Sequence, residues 1–286
     1  MVSVAEYVKL KKAELKEEIE RHEQKPSLFV LQLEDNPSNT SYIKGLKRDC
    51  EELGIDCDIC TSGKCKNITT VQAANTIYVY QRFKDYDAIL VQTPLPYGID
   101  PESVAKEIDT LQDVDGFTEF SPYEPCTPKG VVDYLEYNNY EFDGKTACVV
   151  GRSKTVGSPL AQMLLDRNCT VTVCHSHTGE DDLAELMAES NIVFTCTNQI
   201  EQFGNKFFSG SSDVIDFGLG IGKDGKLHGN IKKETLNELL ANNKEYYERI
   251  VISGTGGTGL LTRIALMENI VKAAYGWGKD AEDSEN

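Results

Sequence analysis

The segment Gly151-Arg152-Ser153-Lys154-Thr155-Val156-Gly157 carries the plainest chemistry in the chain. It follows an apolar run, 146–150, and precedes a helical stretch, 158–167. Glycines at such a turn let the backbone come close to a pyrophosphate, and the helix behind them offers unpaired N–H groups. The spacing departs from G-x-G-x-x-G, because Ser153 stands where the middle glycine would be. An ordinary tight turn has the same outline, but the flanking strand and helix favour a dinucleotide. The next strand, 170–174, ends in His175, Ser176 and His177, with no carboxylate before Glu180. NAD sites commonly place an acidic residue there for the ribose 2′-hydroxyl. Arg152 and Ser176 suit a 2′-phosphate instead, which favours NADP. Arg152 would equally serve a pyrophosphate, which leaves NAD open. His175 and His177 read as polar loop residues and are given no catalytic part. The cysteines are nine, an odd number, and read as free thiols of a cytosolic protein. Cys57, Cys60 and Cys65 cluster, but no fourth ligand stands nearby, so no metal site is assigned.

The elements that must hold this loop follow from periodicity. Short apolar runs at 27–33, 55–59 and 88–92 alternate with helical patterns at 2–23, 40–53, 69–83 and 101–107. Asn36 to Asn39 forms a turn with capping residues, and Gly54 is a helix stop. Three prolines between 122 and 128 interrupt the alternation and mark a crossing between domains; a helix, 130–137, leads into the second. Strands at 146–150, 170–174, 192–196, 213–217 and 249–253 then recur, with helices at 158–167 and 183–189. Such alternation predicts an α/β fold with parallel, doubly wound sheets. The apolar run 261–274 predicts a last helix, and the acidic tail 279–286 predicts disorder. A net charge of −17 argues against nucleic acid and requires local cationic or amide sites for anionic ligands. No apolar run is long enough to span a bilayer, and the charged N-terminus does not read as a secretory signal, so the expected location is the cytoplasm.

Four stretches together carry a resemblance. They are Tyr42 in its helix with Gly54-Ile55; Val91-Gln92-Thr93-Pro94-Leu95-Pro96; Asp113-Val114-Asp115-Gly116-Phe117 with Pro125-Cys126-Thr127-Pro128-Lys129-Gly130; and the 151–160 loop with Cys174-His175-Ser176-His177-Thr178. In this order they resemble the bifunctional methylenetetrahydrofolate dehydrogenase/cyclohydrolase (FolD) family over almost the whole chain. The resemblance implies two α/β domains around a cleft, the C-terminal one a Rossmann-type NAD(P)-binding domain, with the final helix returning to the N-terminal domain. The expected division is a folate-binding catalytic domain at 1–125, an NAD(P)-binding domain at 126–255, the returning helix at 256–279 and the tail at 280–286. It also implies one-carbon tetrahydrofolate derivatives as substrates, NADP as cofactor and a homodimer. Carried over by position, Tyr42 lies against the folate ring, Gln92 is the glutamine of the cleft and Asp115 binds the pterin. Gly151, Arg152, Ser153 and Ser176 contact NADP, and Leu219 stands where isoleucine is usual beside the cofactor. These roles are chemically sensible: a carboxylate matches a planar pair of N–H donors, and glutamine both donates and accepts. The plainer readings are a turn residue for Asp115, helix packing for Tyr42 and a solvated strand end for Gln92.

The chain also departs from the motif. The family lysine four residues after the tyrosine is Leu46 here. Lys44 and Lys47 point away from the Tyr42 face of a helix. Hydride transfer needs positioning, whereas hydrolysis of the methenyl cation needs proton transfer that leucine cannot perform. The expectation is a dehydrogenase with weak or absent cyclohydrolase activity. The alternatives are both activities intact, or a paralogue that binds folate or NADP without turnover. The glycine-rich 252–262 segment keeps its glycines but lacks the usual prolines, and Gly256 and Gly257 are expected beside the substrate.

Overall fold

A computed structural model of the chain describes residues 1–34, 36–61, 68–209, 211–245 and 249–276. They form two compact α/β units. One comprises Glu6–Cys126 with the chain from Arg263 onward, the other Met1–Ala5 with Thr127–Thr262. No helix among the described residues is long and apolar enough to cross a membrane. Cys65 and the 279–286 tail lie outside the described residues.

The first unit is built on a parallel sheet of β1 (Ser27–Gln32), β2 (Asp56–Thr61) and β3 (Ala88–Gln92), in the order β2-β1-β3. β1 is central and nearly all buried, as an apolar run without alternation should be. Helices α1 (Val4–Glu20), α2 (Pro37–Leu53), α3 (Thr70–Lys84) and α4 (Pro101–Ala105) connect and flank these strands. Asn36 caps α2 by accepting the Asn39 N–H, and Gly54 ends it with φ +81°. Thr69 and Gln72 form a capping box on α3. Phe29, Leu31, Ile77, Ile89 and Val91 fill the core between sheet and helices.

The second unit holds a five-stranded parallel sheet of β4 (Thr146–Val150), β5 (Thr170–Cys174), β6 (Ile192–Thr195), β7 (Asp213–Asp216) and β10 (Val251–Ile252). Its order is β10-β7-β6-β4-β5, with α5 (Cys126–Tyr137), α6 (Gly157–Leu165), α7 (Glu180–Glu189) and α8 (Lys233–Glu245) in the connections. A small hairpin, β8 (Gly220–Ile221) with β9 (Leu227–His228), follows β7. A single π-helical turn, Gly254–Thr258, leads into α9 (Gly259–Tyr275).

Several details depart from the sequence reading. α5 begins four residues before the expected 130, because Pro128 sits in its first turn, where no helical N–H is required. α8 and the hairpin have no counterpart in the periodicity. The first five residues belong with the second unit: the Val2 N–H donates to Asn138 Oδ1 (2.6 Å) and the Tyr134 hydroxyl to the Val2 carbonyl (2.8 Å). The start of α9 is also there, where a Cβ on Gly130 would lie 2.2 Å from the Leu261 carbonyl oxygen. The rest of α9 packs in the first unit. Asn269 donates to the Val114 carbonyl (2.8 Å), and Glu268 pairs with Lys11 (3.7 Å).

Candidate active site

In the first unit, one face of α2 presents Tyr42, Gly45, Leu46 and Asp49, the i, i+3, i+4, i+7 stripe of a helix. Tyr42 is half-buried and Leu46 is fully buried. Asp49, 3% exposed, accepts Lys12 Nζ at 2.8 Å and Arg263 Nε at 2.6 Å. Lys47 instead reaches Glu51 (4.0 Å) with a largely exposed side chain, and Lys44 is exposed.

Asp115 stands on a turn built by its neighbours. The buried Asp113 carboxylate accepts the N–H groups of Phe117 (3.0 Å) and Thr118 (2.7 Å) and the Thr118 hydroxyl (2.7 Å). Gly116 has φ +64°, and a Cβ there would lie 2.7 Å from the Pro125 nitrogen, so only glycine fits. Cys126, wholly buried, donates to the Val114 carbonyl (3.2 Å), and Asn269 reaches both that carbonyl and the Cys126 sulfur (3.4 Å). Burial, reinforced by the charge of Asp113, pushes the Asp115 carboxyl up to about 7, against the opposing hydrogen bond from Cys126. Burial also raises the Tyr42 hydroxyl well above its ordinary value. The charges of Asp115 and Cys126 add to this, and Arg263 opposes it. Asp115, Cys126, Arg263 and Asp49 therefore all act on Tyr42. Gln92 is at the carboxyl end of β3, its amide donating to the Thr93 carbonyl (2.8 Å). No hydrogen bond joins Gln92 to Tyr42 or Asp115 among the described residues.

In the second unit the sheet reverses its winding between β4 and β6, and parallel sheets bind ligands at the carboxyl ends flanking such a point. Gly151 leaves β4 there with φ +126°; a Cβ would lie 2.4 Å from the Cys196 carbonyl oxygen. Its N–H donates to the Cys174 carbonyl (2.9 Å), which ties the β4 and β5 loops together. A Cβ on Gly157 would lie 2.2 Å from the Gly151 carbonyl oxygen, so backbone packs on backbone through the whole turn. Ser153 Oγ accepts the Val156 (3.2 Å) and Gly157 (3.4 Å) N–H groups and so organises the start of α6. Arg152 and Ser176 are exposed on the β4 and β5 loops. The His175 N–H donates to Thr178 Oγ1 (3.0 Å) and His175 Nδ1 accepts the His177 N–H (3.2 Å), a local turn network. Leu219, 45% exposed, follows β7. The buried Asp216 fixes that corner by accepting the Thr195 hydroxyl and the Gly218, Asn230 and Ile231 N–H groups. Gly256 and Gly257 lie in the π turn of this same unit. Its first residue, Gly254, is pressed against Gly218: an added Cβ would lie 1.8 Å from the Gly218 carbonyl oxygen.

The structure thus gathers Tyr42 with Asp115 in one unit, and Gly151, Arg152, Ser153, Ser176 and Leu219 at the carboxyl ends of β4, β5 and β7 in the other. The turn, which has a glycine at each end and the start of α6 behind it, fits a dinucleotide pyrophosphate. Asp113, Cys126 and Asn269, which hold the Asp115 turn, and the Arg263–Asp49 pair were not assigned from sequence. The first two stand inside recognised motifs; nothing local to Asn269 or Arg263 signals a site. Among the described residues no group of three His, Cys, Asp or Glu side chains is arranged to hold a metal.

A glycine turn at the switch point of the parallel sheet in one α/β unit, in a chain whose other α/β unit holds the Asp113–Asp115 turn, defines a two-domain α/β protein with a nucleotide-binding domain. The chain belongs to the tetrahydrofolate dehydrogenase/cyclohydrolase family: residues 3–115 match its catalytic domain and residues 125–276 its NAD(P)-binding domain. The bifunctional protein FolD of Methanosphaerula palustris is 35% identical over 91% of each chain. The bifunctional methylenetetrahydrofolate dehydrogenase/cyclohydrolase of Campylobacter jejuni superposes with a TM-score of 0.83 at 29% identity, covering 94% of this chain and 96% of that one. A 5,10-methylenetetrahydrofolate dehydrogenase from the silkworm, Bombyx mori, gives 0.83 at 26% identity, covering 97% and 98%.

Proposed function

We propose that this protein oxidises 5,10-methylenetetrahydrofolate to the methenyl cation with NADP, and that its cyclohydrolase activity is weak or absent. One observation carries the second half: Leu46, four residues after Tyr42, is fully buried where the family motif has a lysine. Leucine has no proton to move, and losing one acid–base group costs a factor of about 10²–10⁴. Neither Lys44 nor Lys47 replaces it, since both face solvent. Arg263 is close to Tyr42, but its Nε is engaged by Asp49 and a guanidinium offers donors only, with no acceptor for a water proton.

Asp115 binds the pterin N–H pair, Tyr42 lies against the ring, and Gln92 supplies a donor and an acceptor at the strand end. Gly151, Arg152, Ser153, Ser176 and Leu219 hold the dinucleotide, and Gly256 and Gly257 line the substrate side of that unit. When bound, the nicotinamide accepts the hydride; the protein's part is to position the two ligands and exclude water. NADP is preferred over NAD because Arg152 and Ser176 are exposed at the β4 and β5 ends and no acidic residue precedes Glu180 there. The same family reading makes the protein a cytoplasmic homodimer, which its mass in solution tests.

The test of the dehydrogenase reading is NADPH formation from methylenetetrahydrofolate by the wild type and by Asp115→Asn. Loss of at least tenfold in kcat/KM for the folate, with NADP binding unchanged, supports it. No NADPH from methylenetetrahydrofolate with the wild type points to a different small substrate on the same architecture, and turnover indifferent to Asp115 removes its pterin role.

A further inference from the structure

We propose that Arg263 is a substrate-positioning residue of the folate site, its guanidinium seated on Gly45 as the fixed positive charge of the Tyr42 face of α2. This rests on the folate reading above.

The geometry comes from three elements of the first unit. Gly45 lies inside a seventeen-residue helix, where glycine weakens the structure relative to alanine. A Cβ at Gly45 would lie 3.0 Å from Arg263 Cζ, 3.1 Å from Nη1 and 3.2 Å from Nε. The bare backbone is thus the floor on which the planar guanidinium rests. Asp49, one turn further along α2, grips Arg263 Nε at 2.6 Å, and both side chains are largely buried, at 12% and 4% exposure. Lys12 Nζ shares Asp49 (2.8 Å) and also engages Glu52 (2.5 Å), so two cations and two carboxylates form one network, within which the guanidinium acts on Tyr42 more strongly than Asp49 does. Arg263 is also close enough to Tyr42 to counteract part of the rise in its hydroxyl pKa.

The consequence for the reaction has a sign. Methylenetetrahydrofolate carries no charge on its one-carbon bridge, and hydride loss makes that bridge a cation. A fixed guanidinium on the Tyr42 face is felt by both ligands but disfavours the cation. Arg263 therefore weakens product binding relative to substrate binding and favours product departure. A structural ion pair with Asp49 would alter both affinities together.

The experiment uses the full chain with NADP. It compares the product-inhibition constant of methenyltetrahydrofolate with the KM of methylenetetrahydrofolate in the wild type, Arg263→Met and Arg263→Lys. The expected result is that Arg263→Met lowers the ratio of the two constants about three- to tenfold, while Arg263→Lys keeps it near wild type. Gly45→Leu, which unseats the guanidinium without removing any charge from the chain, shifts the ratio in the same direction and serves if Arg263→Met does not fold. An unchanged ratio in a folded Arg263→Met or in Gly45→Leu overturns the proposal and leaves a structural pair. A wild type that binds NADP but neither folate overturns the folate reading itself, and the proposal with it.

Discussion

Asp115 shows how much chemistry rests on one side chain. Its native carboxyl keeps a proton to about pH 7, whereas an unfolded aspartate releases it near 4. Between these values the native state binds more protons, so stability falls as pH rises across that window. On the proposed folate reading, binding runs the other way, because only a carboxylate accepts both N–H groups of a pterin. With a carboxyl near 7, the KM for methylenetetrahydrofolate should fall about fivefold between pH 6 and pH 7, about tenfold by pH 8, and level off above that. Asp115→Asn should flatten this profile, which initial-rate kinetics across pH would check. At this scale the residues that the sequence singles out are those in contiguous motifs, Tyr42, Asp115 and Leu46 among them, and the structure places all three in the first unit. Arg263 was not singled out, because one cation among apolar neighbours in a helix reads as a surface residue. Its partner Asp49 is 214 positions away.

At the scale of elements, two turns set the site. Gly151→Ala would force a Cβ against the Cys196 carbonyl from a φ of +126°. The expected cost is about 1–3 kcal/mol or more, with NADP affinity down at least tenfold; thermal unfolding and NADP titration would measure both. α9 supports the other turn through Asn269, whose buried amide reaches the Val114 carbonyl. Asn269→Leu should destabilise the fold by about 1–3 kcal/mol and raise the folate KM while leaving NADP binding intact, as denaturant titration and separate ligand titrations would show. Most strands were readable because buried parallel strands are short, uninterrupted apolar runs. α8 was not: among its described side chains Thr235 and Leu239 are the buried ones, too few to print a helical period. The early start of α5 was hidden by Pro128, which signals a break in sequence but is harmless in a first turn.

For the molecule as a whole, the net charge of −17 opposes the approach of both the dinucleotide and the anionic folate tail. Screening should therefore speed NADP association modestly as ionic strength rises from about 0.01 to 0.15 M, a trend that stopped-flow binding would detect. A flat or falling rate would mean that the Arg152 loop dominates the local field. The fold class was legible from the alternation of strands and helices. The return of Met1–Ala5 to the second unit was not, since it depends on Tyr134 and Asn138 more than 130 positions away. The central claim remains that this family member keeps hydride transfer and has lost hydrolysis. The most direct measurement follows methenyltetrahydrofolate absorbance with the purified protein, alongside NADPH formation from methylenetetrahydrofolate. The account predicts NADPH formation, with the methenyl product decaying at its spontaneous rate. Decay accelerated well above that rate by the wild-type protein would contradict it and show that another group activates water in place of the lysine.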